Sequence, residues 1–274
     1  MPYVRTDDRV RIYYEEHGAG TPLVLAYGIG GNADLWDTNR DALAAQHRLI
    51  LWEPRGHARS DSPEDPAKYS FARWVLDLRA VLDHLRISRA HVGGLSLGAG
   101  IATRFALRFP RRARSLLVTN SSSAAGLPLP VDHLLMRAQS IKVTLERGMD
   151  AMAEFAMASN PNVQARLAID PNAKDEFYAY YRRLTPIGYA NALRALLAMD
   201  HITDQLSRIR VPTLLIGGDH DPSLAPMKVM HRKIRGSKLV VLSPASHFAN
   251  RDQPDAWNRT ALSFLSTVDR PRAR

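Results

Sequence analysis

The chain has 274 residues, of which 45% are hydrophobic and 23% charged, with 16 glycines and 17 prolines. This composition is typical of a globular protein and excludes a collagen-like, coiled-coil or disordered chain. No run of about 18 apolar residues occurs, and residues 1–8 contain no apolar stretch of the signal-peptide type. We therefore expect a cytoplasmic protein without a membrane partner.

The net charge is +10, from 37 basic and 27 acidic residues. The basic groups do not gather along the sequence, and the densest stretches, 108–114 and 270–274, are interpreted as solvated surface. We expect no nucleic-acid partner. A small carboxylate-bearing substrate would be attracted by this charge, although attraction does not identify it. The absence of cysteine excludes disulfides, thiolate metal sites and a cysteine nucleophile.

Short apolar runs and helical patterns alternate along both ends of the chain. Residues 1–17 predict a β-hairpin that turns at Asp7-Asp8. Buried strands are predicted at 23–26, 48–52 and 90–95, and further strands at 115–119, 213–216 and 238–242. Helices are predicted at 35–45, 74–85, 99–109, 226–234 and 254–265. Alternation of this kind predicts a mostly parallel sheet flanked by helices, which is the α/β class.

The alternation stops between residues 121 and 206, where only helical patterns occur. Gly148 is placed where a helix ends, and the pairs Asp170-Pro171 and Thr185-Pro186 combine a capping residue with proline at the first helical position. We therefore expect a core of residues 1–120 and 207–274, with residues 121–206 forming an inserted helical subdomain.

The pentapeptide Gly94-Leu95-Ser96-Leu97-Gly98 joins a predicted strand to a predicted helix. This G-x-S-x-G pattern is typical of a nucleophile elbow, a sharp turn that exposes a strained serine and requires small neighbours. The backbone N–H of Leu97, at the start of the helix, can donate to a developing oxyanion. The alternative is a serine that only caps the helix.

A serine nucleophile needs a histidine base that a carboxylate orients. Asp221 follows the next-to-last predicted strand and His247 follows the last, so both fall at the sheet edge where Ser96 is expected. Asp219 is the alternative acid. The run Asp219-His220-Asp221 also suggests a metal site, but adjacent side chains diverge and no fourth ligand is near in sequence, so we expect no metal.

These motifs resemble the α/β-hydrolase superfamily over nearly the whole chain. Besides the elbow, residues 55–61 (RGHARSD) are similar to its R-G-x-G-x-S loop, and V-P-T precedes the strand that leads to Asp221-Pro222. Within the superfamily the chain looks most like small bacterial lactonases and esterases, including 3-oxoadipate enol-lactonases. The resemblance implies an α/β-hydrolase fold in which the helical insertion is the cap.

The chain departs from this pattern at several positions. Tyr27-Gly28-Ile29 stands where the family usually has His-Gly, and Ile29 N–H is the expected second oxyanion donor. We expect Tyr27 to contact substrate, and Trp36 to line the pocket unless it anchors the core. The remaining departures are Glu53 for an aspartate, and Ala58 and Ser246 for glycines.

The cap contains five of the eight methionines and several aromatic residues. Met152, Phe155 and Tyr181 are candidate substrate contacts, because methionine adapts to irregular apolar ligands. Packing between helices is the alternative explanation for most of them.

Together these features predict a cofactor-independent hydrolase that cleaves a small carboxylic ester or lactone through an acyl-enzyme on Ser96. One alternative is a C–C hydrolase of vinylogous β-diketones, such as those formed by meta-cleavage. Another is a hydrolase-like receptor of a small molecule. The sequence leaves a homodimer open.

Overall fold

The fold was obtained as a computed structural model that describes residues 2–127 and 130–270. Residues 128 and 129 of the expected helical subdomain, and residues 271–274 of the C-terminal basic stretch, lie outside the described residues. An eight-stranded sheet forms the centre of the molecule. Its strands are β1 (Tyr3–Arg5), β2 (Arg11–His17), β3 (Pro22–Ala26), β4 (Arg48–Trp52), β5 (Ala90–Leu95), β6 (Ala113–Thr119), β7 (Thr213–Gly218) and β8 (Lys238–Leu242).

The order of strands across the sheet is β1-β2-β4-β3-β5-β6-β7-β8. β1 pairs antiparallel with β2, which confirms the predicted hairpin, and β2 pairs antiparallel with β4. Every other neighbouring pair is parallel. The predicted α/β class and the mostly parallel sheet are therefore confirmed.

The described α-helices follow the predicted pattern closely. They are α1 (Asp37–Ala44), α2 (Phe71–His84), α3 (Leu97–Arg108), α4 (Ser122–Ala125), α5 (Val131–Ser159), α6 (Pro161–Ile169), α7 (Lys174–Arg182), α8 (Pro186–Leu197), α9 (Leu224–Lys233), α10 (Ala249–Asp252) and α11 (Pro254–Asp269). None of the described helices has the length and apolar character needed to cross a bilayer.

The segment between β6 and β7 contains α4 to α8 and no described strand. Gly148 interrupts α5 with a left-handed backbone angle, φ 80°, so the helix bends where the sequence predicted an end. Asp170 accepts a hydrogen bond from the Asn172 amide and opens a short 3₁₀ turn before α7. Thr185 caps α8 in the same way, which confirms both predicted capping sites.

Two apolar clusters cover the two faces of the sheet. Val24 and Ile50 belong to one cluster, and their neighbours in sequence, Leu23 and Leu49, belong to the other. This division follows from the alternation of side chains along a strand. A third cluster lies among α5, α6, α7 and α8, over the carboxyl ends of the central strands.

Candidate active site

Ser96 stands between β5 and α3 with backbone angles φ 53° and ψ −113°, a strained conformation for a residue with a side chain. A Cβ atom at Gly94 would lie 2.3 Å from the Ala26 carbonyl oxygen, and one at Gly98 would lie 2.2 Å from the same oxygen. Both positions therefore require glycine. The sharp strand-to-helix turn expected from the pentapeptide is formed for this reason.

Two hydroxyl groups hold the strained turn. The Ser96 carbonyl oxygen accepts hydrogen bonds from Ser121 Oγ at 2.7 Å and from Ser123 Oγ at 3.1 Å. Both donors follow β6, the strand beside β5. Neither serine can be recognised from the sequence, because three serines are adjacent at 121–123 and nothing shows which hydroxyl faces the neighbouring turn.

His247 is bound to Asp221. His247 Nδ1 lies 3.1 Å from both carboxylate oxygens of Asp221. Asp221 also accepts hydrogen bonds from the amide of Ser223, at 2.9 Å, and from its hydroxyl. Burial raises the pKa of Asp221, but the His247 ring and the Ser223 donors outweigh it and lower that pKa to about 2. The carboxylate therefore stays ionised at neutral pH.

Asn120 is a further partner of this carboxylate that sequence reasoning missed. Its side-chain amide donates to Asp221 Oδ2 at 2.5 Å and to the Ser246 carbonyl oxygen at 3.1 Å. A polar residue directly after β6, at the edge of the sheet that carries the site, was the available signal. Asp219 points elsewhere and accepts a hydrogen bond from Ser243 Oγ at 2.5 Å. His247 therefore contacts Asp221 and not Asp219.

The loop after β3 lies against Ser96. A Cβ atom at Gly28 would be 3.0 Å from Ser96 Cβ and 3.6 Å from Ser96 Oγ. Within the described residues, the next amide, Ile29 N–H, has no hydrogen-bond acceptor, and neither does Leu97 N–H at the start of α3. Two unpartnered amide donors therefore flank the serine, as an oxyanion site requires.

Glu53, one of the departures from the family pattern, anchors this loop. Its buried carboxylate accepts hydrogen bonds from the Ala33 amide at 3.2 Å and from the Arg59 amide at 2.7 Å. Arg59 also forms an ion pair with it, with Nη2 and Oε1 2.6 Å apart. The longer acid thus ties the loop after β3 to the segment 55–61.

Ser96 and His247 line the same cavity, which lies under α5 to α8. Tyr27, Met152, Phe155 and Tyr181 also line it, so the structure places four of the five candidate substrate contacts there. Trp36 does not.

The expectation that Trp36 lines the pocket is wrong. Its side chain is fully buried and packs edge-on against Tyr27, with ring centroids 5.4 Å apart, and against Trp257. Trp36 ends the 3₁₀ turn before α1 and belongs to the apolar cluster on one face of the sheet, whereas its neighbour Tyr27 lines the cavity. Tyr27 itself is bound through its hydroxyl to Asn250 Oδ1, at 3.2 Å.

Arg137 also lines the cavity and was not predicted. It is one of 37 basic residues, and its spacing on α5 does not distinguish it from the exposed arginines nearby. Burial lowers the pKa of Arg137.

Asp219 and Asp221 are each engaged by different protein groups. Within the described part of the chain, His47, His91 and Asp269 form a group whose ligand atoms lie close enough to hold a metal ion. This group is at the opposite, amino end of the strands. Arg114 Nε donates to Asp269 Oδ1 at 2.7 Å, and His91 Nε2 is 3.0 Å from the same oxygen, so that oxygen is already engaged by protein groups.

A mostly parallel sheet with a strained serine after one strand, and an aspartate–histidine pair beyond later strands, is the architecture of the α/β hydrolases. Residues 21–254 match the family model described as the alpha/beta hydrolase fold. The chain belongs to this family, and it is a hydrolase.

Proteins with related sequences and structures span the whole chain. It is 30% identical to the "Putative carbamate hydrolase RutD" of Azorhizobium caulinodans, over 98% of this chain and 100% of that protein. It is 29% identical to 3-oxoadipate enol-lactonase 2 of Acinetobacter baylyi, over 89% of this chain and 88% of that protein. The enol-lactonase structure from Burkholderia xenovorans superposes with a TM-score of 0.85 at 26% identity, covering 97% of this chain and all of that one. The predicted resemblance to the lactonase and esterase group is thereby confirmed.

Proposed function

We propose that the protein hydrolyses a small carboxylic ester or lactone through an acyl-enzyme on Ser96. The observation that carries this proposal is that Ser96, on its strained turn, lines one cavity with a histidine that a buried, ionised aspartate holds. Similarity to enol-lactonases supports the same class of bond.

In the first half of the reaction, His247 Nε2 removes the proton of the Ser96 hydroxyl while Oγ attacks the carbonyl carbon. Asp221 fixes the ring through Nδ1 and stabilises its positive charge. The negative charge that forms on the carbonyl oxygen is bound by Ile29 N–H and Leu97 N–H. The bond to the alcohol then breaks, and His247 returns the proton to the leaving alkoxide.

In the second half, His247 removes a proton from water, and the resulting hydroxide attacks the acyl-serine. The same two amides bind the second oxyanion, and the proton on His247 returns to Ser96 Oγ as the acid is released. In a lactone, the alcohol and the acid remain in one molecule. No step requires a group from outside the chain other than water.

Residues 121–206 act in this proposal as a cap on a core of residues 1–120 and 207–274. The helices that bring Met152, Phe155 and Tyr181 to the cavity all belong to this segment. Its last part packs into the core, because Leu196 and Met199 belong to a sheet-face cluster. The cap would close the site against water and select the substrate.

The test is turnover of a panel of short-chain esters and lactones by the protein and by Ser96→Ala. We expect Ser96→Ala to lower kcat by roughly 10⁴-fold to 10⁶-fold, as loss of a triad member does. Thermal unfolding should show that the variant is folded, since only one oxygen is removed. Chelators should leave the rate of the unaltered protein unchanged.

Three outcomes would replace the proposal. Activity of Ser96→Ala within tenfold of the parent removes the serine from its role. Turnover of a vinylogous β-diketone assayed beside the panel, with no ester or lactone hydrolysed, identifies C–C hydrolysis instead. Tight binding of panel compounds without turnover identifies a receptor.

A further inference from the structure

Arg137 brings an isolated charge into the cavity. His133, Met136, Arg137 and Ser140 all line it, at spacings of three or four residues that place them on one face of α5. Among the described residues that line the cavity there is no aspartate, glutamate or lysine. Arg137 therefore supplies the permanent charge of this surface.

No described residue neutralises that charge. Arg137 Nε is shielded from solvent and has no hydrogen-bond partner within the described ranges. The buried arginines of the described chain are, by contrast, each paired with carboxylates at 3.0 Å or less. These pairs are Arg55 with Asp8 and Asp77, Arg104 with Asp200, and Arg166 with Asp170 and Asp252.

A guanidinium group does not lose its proton in a protein, so burial cannot discharge it as it would a lysine. A charge that faces a cavity without a carboxylate partner is stabilised when a group of opposite sign enters the same space. The planar fork of arginine matches the two oxygens of a carboxylate in particular. The cavity is therefore built to be completed by an anionic ligand.

Arg137 shares the cavity with Tyr189 and with the loop beside Ser96. Burial raises the pKa of the Tyr189 phenol, and the nearby Arg137 charge opposes that rise. On its other side, Tyr189 Cε2 lies 3.4 Å from the position of a Cβ at Gly30, next to the oxyanion donor Ile29. The Tyr189 ring thus lies against the loop beside Ser96.

We propose that Arg137 binds an ionised carboxylate of the substrate, at the end away from the scissile bond. The substrate class is then an ester or lactone that carries a second, free carboxylate. This inference rests on the proposed function, because it assigns the polar end of the molecule whose carbonyl Ser96 attacks.

The test uses pairs of esters that differ only in charge. Monomethyl esters of linear dicarboxylic acids are compared with the methyl esters of the matching half-amides, over a series of chain lengths. We expect kcat/KM of the protein to favour the acid at one length, where the carboxylate reaches Arg137. Arg137→Met should lower kcat/KM for that acid by about 100-fold, within the range for a buried charge pair that loses one partner, and should abolish the preference over the half-amide.

Two further variants separate charge from packing. Arg137→Lys keeps a point charge without the fork and should retain part of the preference. Arg147→Met is the matched control, because Arg147 lies on the same helix, is exposed and does not line the cavity. Arg147→Met should change kcat/KM for neither the acid nor the half-amide.

Binding of glutarate, measured by calorimetry without turnover, keeps the inference separate from the proposed function. Glutarate should bind the protein and Ser96→Ala alike and bind Arg137→Met at least tenfold more weakly. If glutarate binds in this pattern but no ester is hydrolysed, only the proposed function is overturned. The role of Arg137 would be overturned if the unaltered protein hydrolysed the acid and the half-amide at equal rates at every chain length. This comparison needs no variant. The role of Arg137 would also be overturned if Arg137→Met lowered kcat/KM equally for the acid and the half-amide.

Discussion

The sheet core and the helical segment above it are constrained by different contacts. At Gly94 and Gly98 in the core, an added Cβ would strike backbone atoms at 2.3 and 2.2 Å. At Gly148 in the helical segment, an added Cβ would meet nothing within 4 Å. At these positions the core fixes the turn that carries Ser96 by backbone contact, whereas the bend of α5 at Gly148 is open.

The two regions also differ in how they satisfy charge. In the core, Asp221 is surrounded by donors from the protein itself, including Asn120 and Ser223. In the helical segment, Arg137 has no such partner in the described part of the chain. Internal pairing suits a group that must keep one geometry, and an unpaired charge suits a group that meets a ligand.

The largest effect is expected when the core acid is altered. Asp221→Asn should lower kcat by about 10⁴-fold, because an amide at this position favours the wrong tautomer of His247. Asp219→Asn is the matched control and should lower kcat by less than tenfold, since Asp219 contacts Ser243 and not the histidine. Steady-state kinetics of both variants decides this, and the reverse ranking would move the acid to Asp219.

The next largest effect is expected on the unfolding free energy, which should fall more for a glycine substitution in the core than for one in the helical segment. Gly98→Ala places a methyl group 2.2 Å from the Ala26 carbonyl oxygen, and we expect it to cost more than about 3 kcal/mol of unfolding free energy or to prevent folding. Gly148→Ala meets no atom but keeps a positive φ, and should cost about 1–2 kcal/mol. Urea denaturation measures both. Equal losses would contradict the contrast between backbone and side-chain constraint.

The pH dependence of stability should come from buried histidines in the core. Burial lowers the pKa of His57 and His91 to about 4. The unfolded chain takes up these protons near pH 6.5, so the unfolding free energy falls as the pH decreases from 6.5 to 4, by up to about 3 kcal/mol for each group. Below pH 4 these groups cause no further loss.

Urea denaturation between pH 7 and 4 tests this expectation. His91→Gln should make the decline shallower, whereas His220→Gln, at an exposed ring, should leave its slope unchanged. If the unfolding free energy of His91→Gln declines with pH as it does in the unaltered protein, His91 does not contribute to the pH dependence.

The smallest effect is expected in the helical segment. Met152→Ala enlarges the cavity and should change discrimination between acyl chains by about 1–3 kcal/mol per methylene-sized difference, while the smallest substrate is still hydrolysed. Met157→Ala is the control, because Met157 lies on the same helix and does not line the cavity. The measurement is kcat/KM over an acyl-length series. If Tyr27→Phe alters the ranking and Met152→Ala does not, specificity belongs to the loop after β3.

Groups whose positions follow from local geometry or from the order of the strands could be predicted from the sequence. The strand before Ser96, its flanking glycines and the helix after it are neighbours in the chain, so local geometry identifies the elbow. Asp221 and His247 follow later strands, and parallel strands bring their carboxyl ends to one edge.

Three other residues depended on contacts between distant parts of the chain. Trp36 was expected in the pocket, but its direction is set by packing on Tyr27 and Trp257. Asn120 was missed because its partner, Asp221, is 101 residues away. Arg137 was missed because an unpaired charge can be recognised only when all its neighbours are known.

The most direct test of the central claim is covalent labelling with a fluorophosphonate, which reacts with a serine that an adjacent base activates. We expect one label per chain, located by mass spectrometry on the peptide that contains Ser96, with loss of ester hydrolysis in proportion to labelling. Asp221→Asn should react far more slowly than Asp219→Asn, and Ser96→Ala should not react. Complete inactivation without a label on Ser96, or full activity with Ser96 labelled, would contradict the account.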